Sequence, residues 1–238
     1  MRFGAHARVS ALAVALAAMA LRPVSGAAHN VFTRGAATCH AVALTFDLCP
    51  VRQGPGFDRS LVHFLEERRI HATFFASGTW MASHDAELRE LIAQPFFEIG
   101  THGQEHAHLP TLTPEKQSAE IRGAVVTLGD RYGVHATLFR PPYGEYHPQT
   151  VLEADALGQT VVMWSVVSGD PDPKLPAAGI VDDVSSRLRN GSVVIFHANG
   201  RGWHTSETVP AVYARAIAKG FAFDTISELI RCAPSAGK

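Results

Sequence analysis

Two histidines four residues apart, His102 and His106, are where this chain's spacing speaks most directly of chemistry. Imidazoles at that interval can hold one ion from a helical turn or a curved loop. Imidazole ligands favour a divalent transition metal, zinc first among them, over calcium or magnesium. Residues 102–106 also spell H-x-x-E-H, which zinc peptidases carry on a helix. Gly100, Gly103 and Pro110 argue for a loop there instead, which sets the peptidase reading aside. Asp47, Arg140, Asp170 and His197 are the other polar residues whose positions could serve chemistry. Each has an ordinary alternative. Asp47 could cap a turn, Arg140 could be a surface charge, and His197 could be a hydrogen-bonded core residue.

Their place on the secondary structure makes them a set. Residues 41–47 form a nearly continuous apolar run ending in an acid, the pattern of a buried strand. Strands are expected again at 72–76, 96–101, 136–140, 160–165, 192–197 and 221–223. Helices are expected after Asp58, which stands where an N-cap would be, and at 85–93, 114–130, 148–157, 178–189, 206–219 and 225–232. Alternating strands and helices imply βαβ units and a parallel sheet. About seven such repeats suit a barrel better than an open sheet, in a single domain without linkers or repeats. Asp47, His102 with His106, Arg140, Asp170 and His197 all fall at or just past a strand's C-terminal end. In an α/β barrel those ends share one face, where active sites sit.

The chain has 238 residues, 46% of them hydrophobic and 18% charged, an ordinary globular balance. Residues 1–28 read as a signal peptide: Arg2 and Arg8, an apolar run over 9–21, then Pro23, Ser25, Gly26, Ala27 and Ala28. The run is too short to span a bilayer, although an uncut anchor is the alternative. Removing Arg2, Arg8 and Arg22 with that segment leaves 18 basic against 22 acidic residues, which speaks against a nucleic-acid-binding surface. The expectation is an exported protein, periplasmic or extracellular, with its domain at 29–238. Its three cysteines, 39, 49 and 232, leave at least one thiol unpaired within the chain.

Taken in order, the clusters resemble the polysaccharide deacetylases of carbohydrate esterase family 4, the NodB homology domain. The family's T-F-D-D-G-P is matched by Thr45-Phe46-Asp47-Leu48-Cys49-Pro50, and its H-S/T-x-x-H by His102 to His106. Its R-x-P-Y/F, D-x-x-D-W and L-x-H are matched by Arg140-Pro141-Pro142-Tyr143, by the stretch from Trp164 to Asp170, and by Ile195-Phe196-His197. The resemblance implies an irregular (β/α)7 barrel and metal-assisted hydrolysis of an acetyl amide or ester on a carbohydrate. It also implies roles. Asp47 is the base and Arg140 its partner, the Tyr143 N–H helps bind the oxyanion, and His197 is the acid with Asp170 behind it. Tyr143 and Trp164 are the substrate-binding candidates, and His102 and His106 hold the metal.

Several positions depart from the family. Where the family places its third metal ligand this chain has Leu48, so that ligand would come from Asp47 or from Asp58. In the fourth motif Val167 stands for the first acid and Pro171 for the Trp, which changes the groove wall. Two other functions therefore stay open: a metal-independent hydrolase of a small cyclic amide, resembling allantoinase-like members, and a non-catalytic saccharide-binding relative. Metal content separates the first of these from a deacetylase, and acetate release separates the second. Which polysaccharide, N- or O-deacetylation, and the oligomeric state are not legible. In the implied barrel, Cys39 before the first strand and Cys232 ending the last helix share the face opposite the site. That predicts a Cys39–Cys232 bridge contributing about 2–4 kcal/mol. Cys49, on the catalytic face, is expected as a free thiol near the metal or a weak ligand.

Overall fold

The structure, a computed structural model, describes Met1 and residues 31–51 and 54–232. Apart from Met1, the signal-peptide reading of residues 1–28 lies outside the described residues. The strands are β1 Val31–Phe32, β2 Ala41–Leu48, β3 Ala72–Ala76, β4 Phe97–Thr101, β5 Leu138–Phe139, β6 Thr160–Val162, β7 Val166–Val167, β8 Val193–His197 and β9 Ala222–Phe223. The helices are α1 Arg59–Glu67, α2 Gly78–Ser83, α3 Asp85–Ile92, α4 Pro114–Tyr132, α5 Pro148–Ala156, α6 Ala177–Arg187, α7 Thr205–Ala218 and α8 Ile226–Arg231. One parallel sheet runs in the order β1-β6-β5-β4-β3-β2-β8-β7, with β9 beside the start of β2. It curls into the irregular α/β barrel that the resemblance implies.

Alternation along the strands separates two layers of core. On β2, Val42, Leu44, Phe46 and Leu48 pack outward with Leu61, Leu65, Trp80 and Val212 of the helices. Ala41 and Ala43 face inward with Phe75, Leu138, Val162 and Val193. Period two then turns Thr45 and Asp47 to that same inner side, toward the open C-terminal end.

Local chemistry sets the helix ends. Asp58 caps α1 by accepting the Leu61 N–H at 3.1 Å, the N-cap that the sequence suggests. Thr113 caps α4, with Pro114 in its first turn, and Gly133 ends it at φ +68°. Thr225 and Glu228 form a capping box on α8. That last helix closes the barrel floor, with Ile226 and Leu229 packed against the inner residues of β2 and β3. At its end Cys232 is bridged to Cys39, with Cα atoms 5.8 Å apart, and Cys49 is free and buried.

Four stretches differ from the pattern reading, the first being β1, a strand not expected before residue 41. The strand expected over 160–165 is two short ones, β6 and β7. The chain changes partner between them: Met163 donates to Phe32 O at 2.8 Å and Ser165 to Val193 O at 3.0 Å. β5 covers only two residues of the expected 136–140. α2 is too short for helical periodicity to reveal.

Candidate active site

Neighbouring strand ends converge on one cleft. Asp47 is the register partner of His197 across β2 and β8, so the two side chains leave the sheet on the same side. His102 follows β4 directly, its N–H held by Ala76 O at 2.9 Å, and the Arg140 N–H is held by Thr101 O at 2.9 Å. Each functional side chain thus hangs from backbone that the sheet has already fixed.

Arg140 is fully buried and donates to Asp47 Oδ1 at 2.8 Å. Its other nitrogens reach Val162 O at 3.3 Å and Met163 O at 3.4 Å, and its guanidinium lies over the Phe75 ring at 4.1 Å and near Trp164 at 5.5 Å. Burial alone would raise the Asp47 carboxyl. Arg140, His102 and His197 together outweigh that and hold it below the ordinary carboxylate range.

Asp170, also fully buried, is saturated with donors. Its carboxylate accepts the His197 backbone N–H at 2.8 Å, Thr205 Oγ1–H at 2.7 Å and Ser168 Oγ–H at 2.9 Å. It also meets His197 Nδ1 at 3.0 Å, so Nε2 is left to face the cleft. An imidazole held in this way presents Nε2 where a proton could be exchanged with a substrate.

The second histidine pair sits on a loop, as Gly100 and Gly103 suggest, and not on a helix. Glu105 turns out to bond Thr79 Oγ1 at 2.9 Å, so the peptidase geometry is absent. Buried Glu120, on the inner face of α4, ties the loop down by accepting the Glu105 N–H at 2.8 Å and the Ala107 N–H at 3.0 Å. Gly103, at φ +74°, lets Glu120 approach: a Cβ there would lie 2.9 Å from its Oε1. His106 and Tyr143 both hold φ near +60°, a strained conformation for side chains of that size.

Those histidines are set up as ligands. His102 Nδ1 donates to Arg140 O at 2.7 Å, which leaves Nε2 with its lone pair, 3.6 Å from Asp47 Oδ2. His106 Nε2 is buried with no hydrogen-bond partner. Burial, with His102 alongside, pushes the His106 imidazolium down to about 3, so the ring is neutral and free to ligate. Burial lowers His102 as well, against the pull of Asp47. Ligand atoms of Cys49, His102 and His106 all lie within 4.8 Å of one another. The site therefore fits a divalent metal. Asp47 and Asp58, which the sequence offers as a third ligand, are not in this group: Asp47 is paired with Arg140, and Asp58 caps α1.

Two adjoining hollows, about 490 and 180 Å³, share Cys49, His106, Tyr143 and Arg201 as lining. Asp47, His197, Trp164, Val167 and Pro171 line the smaller one, so both departures in the fourth motif stand on its wall. The exposed Tyr143 ring stacks on His108 with centroids 3.9 Å apart and meets His106 edge-on at 4.5 Å. Sequence reading overlooks Glu120, Asn199 and Arg201. Of these only Glu120 leaves a signal, an acid on the apolar face of a helix.

Comparison with known proteins bears on this geometry. The polysaccharide deacetylase family model matches residues 34–162. A chitooligosaccharide deacetylase from Rhizobium leguminosarum bv. phaseoli is 33% identical over 160 residues, covering 65% of this chain and 66% of the relative. Among solved structures, a peptidoglycan N-acetylglucosamine deacetylase is similar with a TM-score of 0.78 at 22% identity, covering 84% of this chain and 92% of that one. A CE4 family pseudoenzyme from Bacillus anthracis is similar with a TM-score of 0.74 at 22% identity, covering 83% and 67%. Other curated relatives are longer: the chain spans 56%, 26% and 24% of three that it matches.

Proposed function

Because this chain belongs to the polysaccharide deacetylase family, we propose that it is a hydrolase that removes acetyl groups from a carbohydrate polymer or oligosaccharide. The observation that carries this reading is the register pairing of Asp47 with His197 on adjacent strands, each held by its own buried partner. A base and an acid then flank one cleft, the arrangement that splitting an amide requires.

In this reading Asp47, ionised by Arg140, accepts the proton of the attacking water. His197 delivers a proton from Nε2 to the departing amine or alcohol, and Asp170 holds Nδ1 and so orients the ring. The Tyr143 N–H faces the developing oxyanion, and Trp164 forms the sugar-facing wall. His102 and His106 would hold zinc, whose contribution when bound is Lewis acidity toward the acetyl carbonyl and the nucleophilic water.

We further read the chain as exported. The basic and apolar pattern of residues 1–28 supports this, as does the Cys39–Cys232 bridge, since disulfides persist in oxidising compartments. N-terminal sequencing of protein recovered outside the cytosol is expected to begin near residue 29. Recovery of the uncut chain in the cytosol alone would overturn the reading.

The activity is tested by measuring acetate release from chitin oligomers, peptidoglycan and acetylated xylan with zinc supplied. Release from at least one is expected, and none from all three by folded protein refutes the proposal. Leu48 favours a second reading, a saccharide-binding relative without activity. Its signature is retention on one of these polymers with no acetate released.

A further inference from the structure

We infer that Cys49 is the third metal ligand, so that this chain holds its ion with one sulfur and two imidazole nitrogens. The inference rests on the metal-dependent reading above and gives its site a donor set that the family motif does not contain.

The argument begins with strand geometry. Leu48 is fully buried among the outward-packed residues of β2, in the layer shared with the helices, and offers the cleft nothing. Cys49, the next residue, lines both hollows of the cleft. Its backbone is fixed there, because its carbonyl accepts the Asn199 Nδ2–H at 2.8 Å. Asn199 is itself buried just past β8, so the chain after His197 positions the thiol.

The histidines supply an independent observation. His106 Nε2 is shielded from solvent and bonded to nothing, and an unmet lone pair in a polar pocket asks for a partner. The strained backbone of His106 is what aims that ring, and Glu120 holds the loop that carries it. Cys49 Sγ is within 4.8 Å of a ligating nitrogen on both His106 and His102. Zinc bonds of about 2.3 Å to sulfur and 2.0–2.1 Å to nitrogen draw such a group together through side-chain rotation. Cys39 and Cys232 are spent on the bridge, so Cys49 is the one thiol among the described residues.

Binding would convert the Cys49 S–H to a thiolate: the S–H proton leaves to solvent as the sulfur–metal bond forms. The ligand set keeps the single negative charge that a carboxylate would have brought. Its softness differs, however. Thiolate with imidazole selects zinc and cobalt, and discriminates against magnesium, calcium and manganese more sharply than a carboxylate set.

The test uses metal-stripped protein, its bridge left oxidised, titrated with cobalt(II) and followed by absorbance. One cobalt per chain with a near-ultraviolet thiolate-to-cobalt charge-transfer band is expected. Cys49→Ser should lose that band, keep its far-ultraviolet circular dichroism, and bind zinc about 100-fold or more weakly, beyond the scale of losing an outer-sphere partner. Stoichiometric cobalt without the charge-transfer band, or a band that survives Cys49→Ser, overturns the inference while the metal-dependent reading stands. Folded protein that binds no cobalt overturns both.

Discussion

Replacing both bridge cysteines, Cys39→Ser with Cys232→Ser, removes a cross-link between residues 193 apart in sequence. In the chain-entropy description the denatured state gains the freedom of a loop that long, worth about 5 kcal/mol at room temperature. This exceeds the 2–4 kcal/mol expected from an average bridge, because the loop takes in nearly the whole domain. The native state loses little, since α8 is also held by its capping box and by Ile226 and Leu229 in the inner core. For a domain of this size each kcal/mol moves Tm by about 2–4 °C, so the double variant should melt about 10–20 °C lower. Thermal unfolding followed by circular dichroism, with and without reductant, is the assay. Reductant should lower the parent's Tm and leave the variant's unchanged. A variant melting within about 3 °C of the oxidised parent, a loss of about 1 kcal/mol, would refute the argument. The bridge would then constrain a denatured state that is already compact near the barrel floor.

Asp47→Asn and His197→Ala should each reduce kcat by about 100-fold or more while the native circular dichroism is kept, the scale of lost acid–base catalysis; near-parental turnover removes that residue from the mechanism. Arg140→Gln takes away the charge that keeps Asp47 ionised, so burial dominates and the carboxyl rises. Activity that needs the carboxylate is lost as pH falls through its pKa, so the acid limb of the kcat/KM profile should move to higher pH. An unmoved limb would mean that another group sets it. Glu120→Ala leaves the Glu105 and Ala107 amides without their acceptor and should cost about 2–4 kcal/mol. It should also weaken zinc binding, measured by competition with a chromophoric chelator.

What was legible followed from period and position. The buried strand at 41–47, the helix starts at Asp58 and Pro114, and the polar residues at strand ends could be read because alternation and caps are local signals. The barrel and the Cys39–Cys232 pairing follow once those strands are ordered into one curled parallel sheet. Tertiary choices were not legible. Nothing local says that Asn199 will reach across to the Cys49 carbonyl, and the acid on the apolar face of α4 marks Glu120 as unusual without saying which loop it will hold. The break between β6 and β7 depends on the chain trading Phe32 for Val193 as hydrogen-bond partner, which no window of sequence records. Asp58 was legible in its local role, where Oδ1 accepts the Leu61 N–H and the Ser60 hydroxyl.

Arg140 serves the cleft through two chemically separate parts. Its guanidinium holds Asp47, while its backbone carbonyl receives the His102 imidazole N–H. The carbonyl persists whatever side chain occupies the position. Changing residues 47 and 140 together to apolar groups of matching volume would erase the buried charge pair at little cost in stability. His102 would still be aimed by the same carbonyl. The aim of His102 is therefore independent of the charge pair that Arg140 makes through its side chain.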